Sequence, residues 1–549
     1  MFNKDMLTSL KSFALLDDKR FLRLANNNAE YSYSEVIDLS ARIANKLDVL
    51  KKEYDEILLI MDTSVEVVCT VIAALVMRVP IVQVPAVGDI PEKINTSLRL
   101  LPDGIRPLVA GAAQYKAKSV ENIDFLDITE LLSGAPINNF FQDDRQAAYR
   151  FMTQLSSGTT GHPKGITINS DQLSHNLIDI VERMNMNSSS VIVSWLPLYH
   201  DMGLMSLMLA IFSGAQINLL TPYSFVRNPI NWLKEIDQYA GTHAGVPNFA
   251  IKLLSSLSDK ALQAGVNLNS LQYLLVGSDM AYVDSLDAFE EKYKSIGFRE
   301  GVLKPSYGLA ENVVAVSLPA FDEDRTFVTI NEKKLFSGDI IEIDAAGAKI
   351  SCAGRPLNNT NVSIWHEGTL CEEGTIGDIF IQGGSTTREL LELDGRKNIS
   401  PEDPLYTGDV GFLWQGRLYV VGRKKSLIKT MGRSFYPEVI ESKLRYEYPE
   451  FESIAILQLT DFSKGKEEVV AVLESKTAQR QLLHTDSLSH EVIESVIALK
   501  KAVLINHEMQ IAKMIVAKLP IAKTSSGKIA RQKIASDYNL NPDRYFQVC

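Results

Sequence analysis

Cysteine is scarce in this chain: four residues in 549, at positions 69, 352, 371 and 549, with no Cys-x-x-Cys pair and no histidine at metal-ligand spacing. A disulfide framework and a thiolate zinc site are therefore excluded, and the four are read as free thiols in a reducing compartment. An excess of positive charge is also missing. Lys and Arg number 56 against 67 Asp and Glu, a formal net charge of −11, which argues against a nucleic-acid partner held by phosphate neutralisation and leaves small anionic ligands open. The opening stretch MFNKDMLTSLKSFALLDDKRF has no long apolar run before its charges resume, so no export signal is expected and the location is expected to be cytoplasmic. The one long uncharged stretch, Met202 to Val226, is broken by Gly203, Gly214, Gln216, Asn218 and Pro222. It reads as a buried helix–strand unit, with no membrane span.

What is present is globular: 46% apolar and 22% charged residues, in a length that allows about three to four domains. Apolar, β-branched runs alternate with helical patterns. EILLIMD (56–62) reads as a buried strand, SVEVVCTVIAALVMR (64–78) as a helix and VPIVQVP (79–85) as a strand, and the alternation recurs at 190–197, 215–220 and 271–278. This predicts an α/β fold with a large N-terminal domain of parallel sheets flanked by helices. From about Asp322 short alternating segments predict a β-rich subdomain. Beyond GRLYVVGRKKS (416–426) come a helix candidate YPEVIESKLRYEY, a strand pair near SIAILQL and EEVVAVLES, and a helical stretch over 488–517. The boundary is placed within Gly422 to Ser426, giving domains of 1–422 and 423–549, the second small and α+β.

The segment LSSGTTGHPKG (155–165) holds four hydroxyl residues, three glycines and one lysine. Its glycines free the backbone to turn successive N–H groups toward one anion, and phosphate uses such a donor set best. It is not a Walker A loop, because Pro163 and Gly165 stand where that spacing needs glycine and Ser or Thr. AKTSSGKIAR (522–531) fails too, with Ala522 in place of the first glycine. Either segment alone reads equally well as a solvated Ser/Gly loop.

In order along the chain, LSSGTTGHPKG, SYGLAE (306–311), YTGDVG (406–411), GRKKSLIKTMGR (422–433) and TSSGKIAR (524–531) resemble the adenylate-forming superfamily of acyl-CoA synthetases, luciferases and peptide-synthetase adenylation domains. The resemblance covers roughly residues 30 to 535. It implies ATP bound between the large domain and a small mobile one, and attack of a carboxylate on the α-phosphate to give an acyl-adenylate and pyrophosphate. Because one anion must approach another, cations and oriented donors are the main catalytic device available. The resemblance further implies that Thr159, Thr160 and Lys164 cradle the leaving phosphates and that Glu311 holds Mg2+. Tyr307 and Gly308, with Gly277 and Ser278, would flank adenine; Asp409 and Arg423 would hold the ribose; Lys528 would reach the α-phosphate and the carboxylate. Lys425 matches the pivot about which the small domain turns.

The acid-binding region WLPLYHDMGL (195–204), with FVRNPINWLKEI (225–236) and GVPNFA (245–250), more closely resembles the fatty acyl-AMP ligases than peptide-synthetase domains, whose FDxS-like aspartate it lacks. Met202, Met205, Met208 and Phe212 are candidate walls for an aliphatic tail, or plain core. His200, beside Asp201, is a candidate catalytic residue, or half of a satisfied buried pair. A β-like segment at about 325–353 resembles the insertion that marks fatty acyl-AMP ligases and restrains the small domain. The implied function is ATP-dependent activation of a fatty or related aliphatic acid, then transfer to the phosphopantetheine thiol of an acyl carrier protein. Arg423, Lys424, Lys425, Lys429 and Arg433 are candidates for docking that acidic carrier, or a solvated turn. An acyl-CoA ligase or amino-acid-activating enzyme is the alternative. Two departures fall near the base and the substrate channel: GSDM in place of a GAE-type segment, with Asp279, and GDIFIQGGSTTREL (377–390) without a GY pair.

Overall fold

The computed structural model describes residues 6–13, 19–118, 120, 122–141, 147–156, 163–257, 265–331, 335, 338–345, 347–430, 433–461, 466–507, 509–524 and 528–549. Two large, mostly parallel sheets dominate the first 400 residues. One has eight strands in the spatial order 395–398, 389–392, 164–169, 150–156, 81–85, 56–61, 107–111, 125–127; the other has seven, in the order 303–305, 273–277, 243–247, 191–194, 216–219, 20–24, 29–32. Alternation along the strands shows how they are buried. Ile57, Leu59 and Met61 join one apolar cluster while Leu58 and Ile60 join another, so helices cover both faces.

The largest cluster contains residues from both sheets together with helices Tyr33–Leu50, Val65–Met77, Ser170–Arg183 and Asp201–Ser213. These helices form the layer between the sheets. Val65–Met77 and Asp201–Ser213 are apolar nearly all round, as helices enclosed on every side must be. Asp201–Ser213 ends at Gly214, whose φ of +72° supplies the left-handed turn before the strand at 216–219. At its other end Gly203 lets the helix rest on the preceding loop, since a Cβ there would fall 2.0 Å from the Pro197 carbonyl. The expected helix–strand unit in 202–226 is thus what forms, and no described helix is long and apolar enough to cross a membrane.

A five-stranded antiparallel sheet follows, in the order 369–370, 360–366, 377–383, 405–414, 417–423. Within 325–353, strands Phe327–Ile330 and Ala348–Ser351 pair with each other. They are tied to helix Val283–Lys294 by Arg325, whose Nη2 donates to Asp287 and Glu290 at 2.6 Å each, and by Lys349, which donates to Asp284 at 2.6 Å.

The C-terminal portion carries a four-stranded sheet in the order 453–461, 466–474, 513–517, 545–547, with its own apolar clusters. Here the helical reading of 488–517 needs correction: the helix is His490–His507, and Lys513–Ala517 is a strand parallel to Lys466–Glu474. The run KMIVA is too short for periodicity to separate helix from strand, and its pairing with Val470–Leu473 decides the matter.

Candidate active site

The parallel strands Tyr273–Gly277 and Leu303–Pro305 end side by side, and the residues that follow them, Ser278 and Ser306–Tyr307, open a cleft at the sheet's carboxyl edge. That is where open α/β sheets hold their ligands. Ser278 has a φ of +67°, a costly conformation for a residue with a side chain. A second strained residue lies in the loop that follows Tyr307. Val313 has φ +64° and ψ −65°, a γ-turn closed by its neighbours, the Val314 N–H donating to Asn312 O at 2.7 Å.

The turn is held by what surrounds it. The buried Asn312 side chain donates to Ala315 O (2.7 Å) and Thr360 Oγ1 (2.9 Å) and accepts from Thr386 Oγ1 (3.0 Å). The backbone carbonyl of Glu311 accepts from Thr387 N–H at 2.7 Å. Gly308 permits the fold-back, because a Cβ there would lie 1.8 Å from Val314 O. The outcome is a rigid loop that sets Tyr307, Gly308 and Glu311 on one wall.

The facing wall is the hairpin of Leu405–Trp414 and Arg417–Arg423, in which Asp409 and Arg423 are cross-strand partners. Asp409 accepts from the Tyr307 hydroxyl on Oδ2 (2.6 Å) and pairs through Oδ1 with Arg423 Nε (3.2 Å). Thr407 Oγ1 accepts from the Asp409 N–H (3.1 Å) while donating to Ile379 O (2.8 Å), fixing the bulge that presents the carboxylate. The carboxyl of Glu311 is pushed up by burial, opposed first by a hydrogen bond to its own backbone N–H and then by Arg423. The Tyr307 phenol is likewise pushed far up, by burial and then by Asp409.

Lys528 enters from the C-terminal portion. Its turn is closed by Thr524 N–H donating to Lys528 O (2.8 Å) and Lys528 N–H donating to Thr524 Oγ1 (3.1 Å). Arg531 bolts the turn to helix Pro437–Glu447, its Nη2 meeting both oxygens of Glu441 at 2.8 and 2.7 Å. Burial and then Arg423 push the Lys528 ammonium down, against Asp279, Asp409 and Asp201. That set of neighbours puts the ammonium in the cleft. Two contacts hold the same portion to the rim: the Arg445 guanidinium sits 4.9 Å over the Tyr282 ring, and Lys252 Nζ donates to Glu452 O at 2.8 Å.

Beneath the cleft an apolar cavity of about 750 Å³ of atom-free space, its open mouth included, runs between the sheet and the layer of helices. Gly277, Ser278, Tyr307 and Gly308 line both the cleft and this cavity, so the two are continuous. Met202 and Met205 are walls as expected, whereas Met208 and Phe212 face the core. Met184 and Met186, which the sequence reading passed over, are walls as well.

His200 and Asp201 are adjacent but not hydrogen-bonded to each other. Asp201 Oδ1 accepts from Met202 N–H (2.7 Å) at the cavity mouth; His200 is half-buried, its desolvation favours the neutral ring, and Nε2 has no partner among the described residues. Lys164 reaches Glu392, and Gly165 is needed because a Cβ would lie 2.9 Å from Thr153 Cγ2. Thr159 and Thr160 lie outside the described residues. Of the basic candidates near the hinge, Arg423 is occupied with Asp409 and Lys424 with Asp378 (2.5 Å), while Lys425 is exposed; the side chains of Lys429 and Arg433 lie outside the description. Asn312 and Thr407 are site residues that the sequence did not single out, although Thr407 lies inside YTGDVG and Asn312 one residue beyond SYGLAE.

No group of three or more His, Cys, Asp or Glu fit to hold a metal occurs among the described residues. A desolvated Glu311 at the cleft is instead a single-carboxylate site, the kind Mg2+ uses when phosphates and water supply its other ligands.

A family model described as AMP-binding enzyme matches residues 113–391. The medium-chain-fatty-acid–[acyl-carrier-protein] ligase JamA of Moorena producens is 28% identical over 397 residues, 69% of this chain and 66% of that protein. The long-chain-fatty-acid–AMP ligase FadD32 of Mycolicibacterium smegmatis is 30% identical over 331 residues, 54% of this chain and 52% of that protein. A solved structure from a study of fatty acyl-adenylate ligases from E. coli and L. pneumophila superposes with a TM-score of 0.81 at 22% identity over 98% of both chains, a likeness of fold.

Proposed function

The chain belongs to the AMP-binding enzymes, and from that premise we propose that it adenylates a fatty or related aliphatic carboxylic acid with ATP and then passes the acyl group to the phosphopantetheine thiol of an acyl carrier protein. The observation that carries this reading is the continuity of a polar cleft, bearing Tyr307, Asp409, Arg423 and Lys528, with a methionine-walled cavity whose described lining holds one Asp, Glu, Lys or Arg side chain, Asp201 at the mouth. The names of the fatty-acid ligases that the chain resembles support it.

In this reading Asp409 and Arg423 hold the ribose hydroxyls, Tyr307 and Gly308 pack on adenine, and Gly277 and Ser278 line its other edge. A carboxylate oxygen of the acid attacks the α-phosphorus; the bond from that phosphorus to the bridging oxygen breaks, and pyrophosphate leaves with the electron pair. Lys528 lies between the two anions and offsets the charge that gathers as they meet. Lys164 and the loop of Thr159 and Thr160 face the departing phosphates. Mg2+, held by Glu311, would supply further neutralisation of the phosphates. His200, its neutral ring favoured by desolvation and its Nε2 without a partner among the described residues, orients the attacking carboxylate.

We place the domain boundary at Gly422/Arg423, with Lys425 as pivot. The anchoring of 325–353 through Arg325 and Lys349 supports a restraint on rotation, as does the core it shares with Tyr436, Leu427 and Val439. Restraint disfavours free coenzyme A as acceptor. The amino-acid reading draws only on Asp201, which an ammonium group would seek, but Lys528 already draws on that charge.

Pyrophosphate exchange tests the proposal. Fatty acids should drive exchange, amino acids should not, and Lys528→Ala should abolish it while ATP still binds. Exchange driven by amino acids, or unaffected by Lys528→Ala, would overturn it.

A further inference from the structure

The apolar cavity has a direction and an end. In the seven-stranded sheet Pro247 pairs with Gly277 at the carboxyl edge, and four residues earlier His243 pairs with both Tyr273 and Ile192. Ala244 and Val246 point to the outer cluster of helices, so His243 and Gly245 point the other way, toward helix Asp201–Ser213. That helix presents Met202, Met205, Ser206 and Leu209, one face at helical spacing, to the cavity. The cavity therefore runs down the sheet, under the helix, from Gly277 to His243. Four residues of parallel strand span about 13 Å.

The far end is closed firmly. The His243 Nε2–H donates to the Met184 carbonyl (3.0 Å) and Nδ1 accepts from the Thr242 hydroxyl (2.8 Å), so the ring is fixed and shows only carbon to the cavity. Ser206 Oγ, the other polar group along the path, donates to its own helix at Met202 O (2.8 Å). No uncommitted donor waits at the deep end among the described residues. Midway, Gly245 leaves the sheet bare: a Cβ there would meet only Met202 Cε at 3.6 Å and Leu275 Cδ2 at 3.9 Å, and its φ lies outside the left-handed range.

We propose that this channel is a length gauge for an unsubstituted, straight acyl chain of medium length, with the His243–Met184 pair as its stop and the bare strand at Gly245 as the opening that lets the tail pass. Carbon–carbon bonds of about 1.5 Å at tetrahedral angles advance roughly 1.3 Å per carbon, so about 13 Å takes close to ten carbons. The committed polar atoms at the stop disfavour a terminal hydroxyl or carboxylate, which would be buried without a partner. The inference rests on the acyl-adenylating function proposed above.

The test is acyl-AMP formation by the full-length protein with unbranched acids from butanoate to octadecanoate, read by acid-quenched mass spectrometry. Rates should peak near decanoate and fall steeply by hexadecanoate. Gly245→Leu fills the channel half-way and should raise the hexanoate-to-decanoate rate ratio by at least about tenfold, the effect of one to two lost methylene subsites. Met184→Ala recesses the stop and should move the optimum toward tetradecanoate, a gain that misfolding cannot mimic. A wild-type optimum at hexadecanoate or longer, or a rate ratio unmoved in a folded Gly245→Leu protein, would overturn the gauge. Failure of every alkanoate, with adenylation of some other carboxylate class, would instead overturn the function on which it rests.

Discussion

Asp409 serves two neighbours with its two oxygens, accepting from Tyr307 and pairing with Arg423. Asp409→Asn keeps the shape but loses the charge, and a bond to a charged partner contributes about 1.5–3 kcal/mol. The KM for ATP is therefore expected to rise roughly ten- to a hundredfold in steady-state assays, about tenfold for each 1.4 kcal/mol. Lys528 gives a pH signature. Its folded-state titration is lowered from the ordinary 10.5, first by burial and then by Arg423, and the chemistry needs the ammonium form. Adenylation should thus fall on the alkaline side at a pH below the free-lysine range, and Lys528→Arg should remove that limb from the profile; a limb that persists in the Arg variant would assign it to another group. At this scale the sequence was legible where a charged or aromatic residue sat in a recognisable motif, as for Asp409, Arg423, Lys528 and Tyr307, which the structure gathers at one cleft. Asn312 was not, because its work is to join Ala315, Thr360 and Thr386, partners from distant strands.

The loop 307–315 stores backbone strain at Val313, and Asn312 pins it there. Asn312→Ala strands Thr360 and Thr386 in the interior and frees the γ-turn. It should destabilise the protein by about 2–4 kcal/mol, seen as a lower thermal midpoint, and depress kcat further by loosening Glu311. The paired strands Phe327–Ile330 and Ala348–Ser351 make the next element-scale prediction. Arg325→Ala together with Lys349→Ala removes the three ion pairs these two residues make with helix Val283–Lys294, and should raise conversion of acyl-AMP to acyl-CoA in the presence of coenzyme A. No change in that conversion would mean that the insertion does not restrain rotation. Element types were mostly evident from period: fully buried strands such as Glu56–Met61 and nearly all-apolar helices such as Val65–Met77 announce themselves. The strand Lys513–Ala517 did not, since its identity comes from a partner strand more than forty residues away.

Across the whole molecule, the α/β architecture was legible because βαβ alternation is local, and the seating of the C-terminal portion was not, because Arg445–Tyr282 and Lys252–Glu452 join segments far apart in sequence. Lys252 makes that seating proton-linked. Its ammonium is pushed down from 10.5 to about 8 by burial first, then by Arg445 and Lys523, against Glu452 and Glu474. A group whose pKa falls on docking releases a proton, so docking should be weakest below both values and strengthen as pH climbs from about 8 toward 10.5. Lys528 moves in the same direction. Fluorescence transfer between labels on the two portions should therefore show a closed fraction rising with pH over that window, with a shallower rise in Lys252→Gln; equal slopes would remove Lys252 from the linkage.

We propose that the cleft and the cavity together make a fatty acyl-adenylate and hold it for a carrier thiol. Acid-quenched mass spectrometry of the purified protein with Mg-ATP and a panel of fatty and amino acids, with and without coenzyme A, addresses it most directly. Fatty acyl-AMP that accumulates and is not consumed by coenzyme A is the expected result. Aminoacyl-AMP as the product, or rapid conversion of the adenylate to acyl-CoA, would contradict the account.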